Sequence, residues 1–531
     1  MQKLELTWIG KDDVQQPLEP RILIENPQYS YGTVEESTLP SGKPWHGNML
    51  IHGDNLLALR SLATMYAGEV KCIYIDPPYN TGNAFDLYDD MVEHSIWLSL
   101  MHQRFQYLHT LLRKDGFLFV NLDEQEHAYA KVILDGIFGR KNFIGDIIWQ
   151  KRKGGGNDSR FLALDHDYIL VYAKEASKEI HKSKWTVSQS QEYLKRYKEI
   201  DENGDRYYWD TVARNGLQSP IPVNIECPDG SILSINSQMG QDAIDKGLKT
   251  GDVRLTKSKN GWTLHHRVYM SGGQRPRSIF SDAGTNKSAA DEMEYLFGSK
   301  KSFPYPKPET LIEKILEIAS NPSDIILDSF IGSGTTAAVA HKMGRKYIGI
   351  ELGNHAYTHC QPRLKKVIDG EDQGGITKLQ NWQGGGGFKF YELAPSLLKE
   401  DEFGQYIINP EYNADQLAAA MAMQEGYTYC PDKNNYWKQG RGTEQDFIFT
   451  TTQFLTAETL DRIAESMAEG ESLLICCTAC QKEARNRHTN ITVKKIPQML
   501  LKRCEFDRDN YNLNIVCPPQ IDDTEEEFED E

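Results

Sequence analysis

The stretch "DIILDSFIGSGTT", residues 324–336, decides the fold: an apolar run ends on Asp328 and turns through Gly332 and Gly334 into helix-forming sequence. A strand that passes directly into a helix is the repeating unit of an α/β sheet. Glycines at such a turn let a ligand lie against the backbone, and the helix N-terminus supplies free N–H groups. The loop therefore reads as a small-ligand cradle made by Asp328, Phe330, Gly332, Ser333, Gly334, Thr335 and Thr336. No lysine follows the second glycine, which excludes a P-loop, and the Gly-x-Gly-Thr-Thr spacing departs from the dinucleotide fingerprint. The next expected strand, "RKYIGIEL", ends in Glu351, 23 residues after Asp328. That is where an acid accepts hydrogens from ribose hydroxyls in this kind of fold. Cradle and acid together imply an adenosine-containing cofactor.

Working outward, strand and helix patterns alternate from residue 48. "NMLIHGD", "VKCIYID", "GFLFVNLD", "FIGDIIWQ" and "DYILVYAK" read as strands; "NLLALRSLATMY", "HSIWLSLMHQRFQYLHTLLRK" and "HAYAKVILDGIFG" carry apolar residues at helical spacing. Polar, aromatic-rich sequence interrupts this rhythm over residues 175–300, and alternation resumes at "PETLIEKILEIAS". The expected organisation is an N-terminal arm (1–44), one half of a sheet (45–174), an insert (175–300), the other half (301–395), a smaller α+β C-terminal interaction domain (396–521) and an acidic tail (522–531).

No apolar run approaches the ~20 residues of a membrane span, and acids in the opening "MQKLELTWIGKDD" argue against a signal peptide. A soluble, cytoplasmic chain is expected. Nine scattered cysteines fit reduced thiols. "CCTAC" gives a Cys477-x-x-Cys480 spacing, but with only His488 and Cys504 further on, buried thiols are the simpler reading and no metal is expected. The net charge of -17 is unevenly distributed. Residues 151–307 hold 25 Lys and Arg against 20 Asp and Glu, and residues 396–531 hold 13 against 26. A mildly basic middle can meet phosphates, whereas the C-terminal part repels them.

The remaining motif is "IDPPYNTG", residues 75–82, which places an acid, two prolines and an aromatic ring at the end of an apolar strand. Alone, such a string is an ordinary turn. Together with "DSFIGSGTT" and the upstream "YPKPETLIEKIL", it resembles the amino-group DNA methyltransferases of the permuted class, in which the catalytic motif precedes the cofactor motif. The segments "MLIHGDNLLALRSL", "KRKGGGNDSRFLALDHDYILVYAKE" and "FPYPKPETLI" extend the resemblance, over about residues 45–395, to modification subunits of type III restriction-modification systems. Ser329 and Ile331 depart from the residues more usual in that family.

The resemblance implies a Rossmann-like methyltransferase sheet, S-adenosylmethionine as cofactor, and methyl transfer to adenine N6 of double-stranded DNA. It further implies a target-recognition role for the insert, a homodimer, and a helicase-nuclease restriction partner. An exocyclic amine is a poor nucleophile because its lone pair is delocalised into the ring. Asp76 and the Pro77 carbonyl would accept its two hydrogens, Pro77 and Pro78 would fix these acceptors in place, and Tyr79 would stack on the base drawn out of the duplex. Phe303, Pro306, Lys307 and Pro308 would line the methionine side of the cofactor pocket, although a Lys-Pro pair before a helix is also an ordinary boundary. Asp54 would reach the cofactor's adenine or simply cap a helix. Asn80 and Thr81 would hold the catalytic loop or make the turn.

Sequence recognition is expected in the insert, where basic and aromatic residues interleave. Arg196, Arg206, His265, Arg267, Arg275 and Arg277, with Tyr197, Tyr207, Tyr208, Trp209 and His266, suit phosphate contacts and base edges, though a solvated face has a similar composition. Asp at the first motif position leans towards adenine by resemblance. Cytosine-N4 methylation and a non-catalytic DNA-specificity subunit remain alternatives; a nicotinamide dehydrogenase would require the missing fingerprint.

Overall fold

The computed structural model describes residues 6–8, 11, 18–78, 94–154, 161–181, 185–187, 194–213, 219–259, 261–270, 275–501 and 503–507. Its main sheet has eleven strands. In chain order they are β1 (Leu23–Glu25), β2 (Tyr31–Gly32), β3 (Asn48–His52), β4 (Val70–Ile75), β5 (Leu112–Leu122), β6 (Phe143–Gln150), β7 (His166–Ala173), β8 (Ile279–Phe280), β9 (Ile325–Asp328), β10 (Lys346–Glu351) and β11 (Gly387–Leu393). Across the sheet the order is β1-β11-β3-β10-β9-β4-β5-β7-β6-β8, with β2 also on β11. The stretch from β11 to β5 is parallel throughout. All six side chains of β4 are buried, as are all four of β9, as a parallel sheet covered on both faces requires.

The two halves of the chain meet where β4 and β9 pair, with Ile326 opposite Cys72 and Leu327 opposite Ile73. From β4 the chain proceeds to β5 on one side, and from β9 to β10 on the other. The strand order thus reverses between Asp76 and Asp328, which is where open α/β sheets bind ligands. Helices α1 (Asn55–Tyr66) and α2 (His94–Leu111) pack Leu59, Leu62, Met101 and Phe105 into one core with Ile73, Ile75 and Val120. A third helix, α3 (His127–Leu134), adds Ala130 and Ile133.

Four further helices, α4 (Asn286–Phe297), α5 (Glu309–Ala319), α6 (Thr335–Lys342) and α7 (Gln361–Ile368), are tied together by buried charges. Lys342 Nζ donates to both oxygens of Glu309, at 2.9 and 2.8 Å, and to Asp372 at 2.7 Å. Arg363 reaches Glu309 at 3.0 Å and Glu292 at 3.7 Å. Burial and the nearby Glu309 carboxylate raise the pKa of Glu292, which favours its protonated form and leaves two cations facing two carboxylates. Gly375 completes the cluster: its φ is +50°, and a Cβ there would lie 2.0 Å from Glu309 Oε2.

In place of an N-terminal arm, part of residues 1–44 builds sheet: β1 runs antiparallel to β11, and Ile22 is buried with Ala394, Leu417 and Met421. Glu19 accepts from the Leu397 amide at 3.1 Å and from Arg21 at 3.0 Å. The region after 396 forms its own five-stranded sheet with helices Ala414–Glu425 and Ala457–Ser466, yet it clusters with the main sheet in one compact unit, Met1–Ser183 with Arg277–Glu531. In the stretch "KKIPQMLLKR", residues 494–503, Lys494 and Arg503 both pair with Glu425. The acidic tail lies outside the described residues.

The second compact unit is Lys184–Pro276, narrower than the polar stretch at 175–300. Composition drew that boundary too wide because β8 pairs with β6 and α4 buries Ala289, Met293 and Leu296. Within the unit, Arg206–Thr211, Gly261–Tyr269 and Val253–Ser258 lie side by side in one sheet. Val212, Val223, Ile225, Ile244, Val253 and Leu264 form its core. Among the described residues no helix is long and apolar enough to cross a membrane.

Removing one partner of a buried charge cluster leaves the others uncompensated, at a cost of about 3–5 kcal/mol. Glu309→Ala is therefore expected to lower the urea midpoint of unfolding clearly. An unchanged midpoint would show that the cluster contributes no net stability.

Candidate active site

Asp76 follows β4 directly, and its side chain keeps 21% exposure. Lys307 Nζ pairs with its Oδ2, and Asn121 Nδ2 donates to its Oδ1 at 3.3 Å. Asn121 is fully buried on β5 and also lies 3.5 Å from Asp167 Oδ2, while Lys151 Nζ donates to Asp167 Oδ1 at 2.5 Å. A line of alternating donors and carboxylates therefore runs along the strand ends from Lys307 to Lys151. The Pro78 carbonyl is held by Trp97 Nε1 at 2.7 Å, and Trp97 is itself buried in α2. Tyr79, Asn80 and Thr81 lie outside the described residues.

The glycine turn lies beside this site. Gly332 and Gly334 have φ of +55° and +81°, the left-handed region that other residues avoid. The space around Gly334 differs from the expectation of close ligand approach: an added Cβ would lie 3.1 Å from the Cα of Cys360. Asp328 serves the loop itself, with Oδ1 accepting from the Phe330 amide at 3.0 Å and Oδ2 from the Thr336 hydroxyl at 2.6 Å. Burial pushes the Asp328 carboxyl up to about 7. Phe330, Ser333, Thr335 and Thr336 are buried. The Thr335 hydroxyl donates to the Lys307 carbonyl at 3.1 Å, so Lys307 touches the first turn of α6 with its backbone and Asp76 with its side chain.

Glu351 ends β10 beside the turn and is buried. Its Oε2 accepts from the Gly332 amide at 2.9 Å and its Oε1 from the Gly353 amide at 3.0 Å. Phe303 lies near the turn, its ring 4.8 Å from that of His355. Pro308 precedes the first turn of α5 at its cap position. Asp54 caps α1, its Oδ1 accepting from Leu56 and Leu57 at 2.8 and 3.1 Å, with Arg104 at 3.5 Å. Of its two expected readings, the geometry is that of the helix cap.

The fit of an adenosine cofactor can be tested on the pocket. The turn gives a helix N-terminus, the neighbouring strand end a buried carboxylate, and the Ser329 hydroxyl is buried with no hydrogen-bond partner among the described residues. This donor and acceptor set fits the group. Ile331 is accommodated because Gly349 leaves it room; a Cβ there would lie 2.2 Å from Ile331 Cδ1.

Within the second unit the expected DNA contacts divide by face. Trp209 is opposite Arg267, and Thr211 opposite His265, so these side chains share one face of the sheet. Arg254, opposite His265, joins them and lies 4.0 Å over the Trp209 ring. Arg267 lies over Tyr207 at 4.7 Å. Arg206 alternates to the other face, Arg275 donates to the Trp185 carbonyl at 2.6 Å, and Arg196 is exposed. Arg277 belongs to the main unit.

The sequence reading missed Asn121, Trp97 and Arg254. Asn121 had a signal, since it is the one amide in the apolar strand "GFLFVNLD". Trp97 looked like any core residue of an amphipathic helix.

Residues 70–361 match the family model described as DNA methylase, N6_N4_Mtase. The chain is 34% identical to the probable type III restriction-modification enzyme HindVI Mod subunit of Haemophilus influenzae, over 66% of this chain and 54% of that protein. It therefore spans about half the length of that relative. It is 30% identical to the type II methyltransferase M.KpnI of Klebsiella pneumoniae, over 54% of this chain and 75% of that enzyme. It is 25% identical to the EcoP15I Mod subunit of Escherichia coli, over 79% and 77% of the two chains. With the acid motif, the glycine turn and the adjacency of β4 and β9 all inside a match that spans more than half of its 531 residues, the chain belongs to the DNA methylase family.

Proposed function

We propose that this chain methylates adenine N6 in double-stranded DNA, as the modification component of a restriction-modification system acting in the cytoplasm. The observation that carries this reading is the β4–β9 pairing, which sets Asp76 beside the glycine turn. S-adenosylmethionine, when bound, supplies a methyl group on a sulfonium that is already activated, so no metal is required. Gly332, the α6 N-terminus, Glu351 and Ser329 would hold it. Asp76 would accept one hydrogen of the target amine and the Pro77 carbonyl the other, favouring the pyramidal nitrogen. Both acceptors are preorganised: Asp76 by Lys307 and Asn121, the proline backbone by Trp97. Tyr79 would stack on the flipped base.

The Mod-subunit relatives favour a chain that acts as a homodimer with a restriction partner. The Arg254, Trp209 and Arg267 face would carry contacts to DNA. Methyl transfer from labelled S-adenosylmethionine, followed by single-molecule sequencing of the modified DNA, reports base, position and motif together. Methylcytosine in place of methyladenine would overturn the assignment of the base, and no transfer the assignment of activity.

Asp76→Asn replaces an acceptor oxygen with a donor and is expected to lower kcat by about 100-fold or more, with S-adenosylmethionine affinity by titration unchanged. Equal loss of affinity would move Asp76 into the cofactor pocket. Trp97→Phe keeps the ring and removes one neutral hydrogen bond, worth about 0.5–1.5 kcal/mol, so kcat should fall by about 2- to 12-fold with S-adenosylmethionine affinity by titration unchanged. An unchanged kcat would mean that the Pro78 carbonyl needs no anchor.

A further inference from the structure

Phe161 and Leu162 are 87% and 80% exposed, two consecutive large apolar side chains where burial is the usual state. They lie in the segment between β6 and β7, which begins with Lys151, Arg152 and Lys153. Both β6 and β5 run antiparallel to β7, and β5 runs parallel to β4. The chain leaving β6 therefore emerges on the same edge of the sheet as Asp76. From β4 to β6 there are three strand spacings, about 14 Å, comparable with the ~12 Å width of a DNA major groove.

The base of this segment is fixed. Lys151 Nζ holds Asp167 at 2.5 Å, its carbonyl accepts from the Asn286 amide at 2.9 Å, and the Arg152 amide donates to Asp165 at 3.2 Å. The Asp167 carboxylate also faces Asn121, which donates to Asp76. An exposed Phe-Leu pair is thus carried on a mount tied through hydrogen bonds to the catalytic acid. Arg152 and Lys153, at the start of the same segment, are exposed cations suited to phosphates.

We infer that Phe161 and Leu162 form the wedge that enters the DNA stack when the target base leaves it. An extruded base leaves an apolar gap between its neighbours, and Phe and Leu are among the side chains that DNA-bending proteins insert between base steps. The inference rests on the reading in which Asp76 meets a flipped base. Phe161 is a positioning residue: it stabilises the extruded state and touches neither the amine nor the cofactor.

The test uses the full chain and two oligonucleotide duplexes carrying the site identified by sequencing DNA that the parent chain modified. In one the target is paired; in the other it faces an abasic position, which removes most of the cost of extrusion. The Phe161→Ala/Leu162→Ala double variant is expected to lose about 10- to 100-fold in kcat/KM on the paired duplex, the scale of a few kcal/mol of unstacking. It should recover to within about threefold of the parent on the abasic duplex, with Phe161→Trp near the parent on both. S-adenosylmethionine affinity should be unchanged, which controls for folding. Parental rates on the paired duplex, or equal losses on both, would overturn the wedge. If the parent itself transfers no methyl group to either duplex, the methyltransferase reading falls and takes the wedge with it.

Discussion

The pairing of β4 with β9 is the constraint on which the rest of the site depends. It joins segments from the two ends of the family match, and its parallel register brings both strands to their carboxyl ends together. A one-residue slip would exchange the two faces of β9 and turn its buried side chains against the wrong layer. Since all ten residues of the two strands are buried, a slip would have to repack the layers on both faces. Hydrophobic burial, which has no directional preference of its own, thereby fixes the positions of the polar residues that follow each strand.

Lys307 makes that adjacency a physical coupling. Its carbonyl accepts from Thr335 in the first turn of α6, and its ammonium pairs with Asp76. Thr335 is also held by Arg363 at 2.8 Å, and Arg363 belongs to the buried cluster of Glu309 and Lys342. Buried ion pairs are a weak source of stability compared with well-packed apolar groups, but breaking one is expensive. A cluster that bridges α4, α5, α6 and α7 therefore penalises any relative shift of these helices, and through Thr335 it holds the loop against which Lys307 is positioned.

Much of this was legible in the sequence. α1 spans the run "NLLALRSLATMY" expected from periodicity, and β4, β9 and β10 fall where short apolar runs meet glycine or acid. The glycine turn could be read because φ near +55° and +81° restricts the choice of residue. Three features left no local signature. Strand order follows from long-range packing, so β1 and β2 fell within the expected N-terminal arm although they pair with β11. The boundary of the insert was hidden because α4 is polar outside and apolar only on the face that it buries. The anchoring of the Pro78 carbonyl by Trp97 depends on two elements that sequence spacing does not relate.

The acids at the strand ends show why residue type alone could not assign roles. Asp54, Asp328 and Glu351 are each buried, and each spends its oxygens on nearby backbone or hydroxyl donors. Asp123, at the end of β5, is likewise buried and is pushed up to about 6 by desolvation. A carboxylate taken out of water needs such donors or accepts a proton. Asp76 differs in kind: its side chain keeps 21% exposure, Lys307 balances its charge, and Asn121 orients it. Five acids stand in similar sequence contexts after apolar strands, and burial separates the four that build the edge of the sheet from the one that faces outward from it.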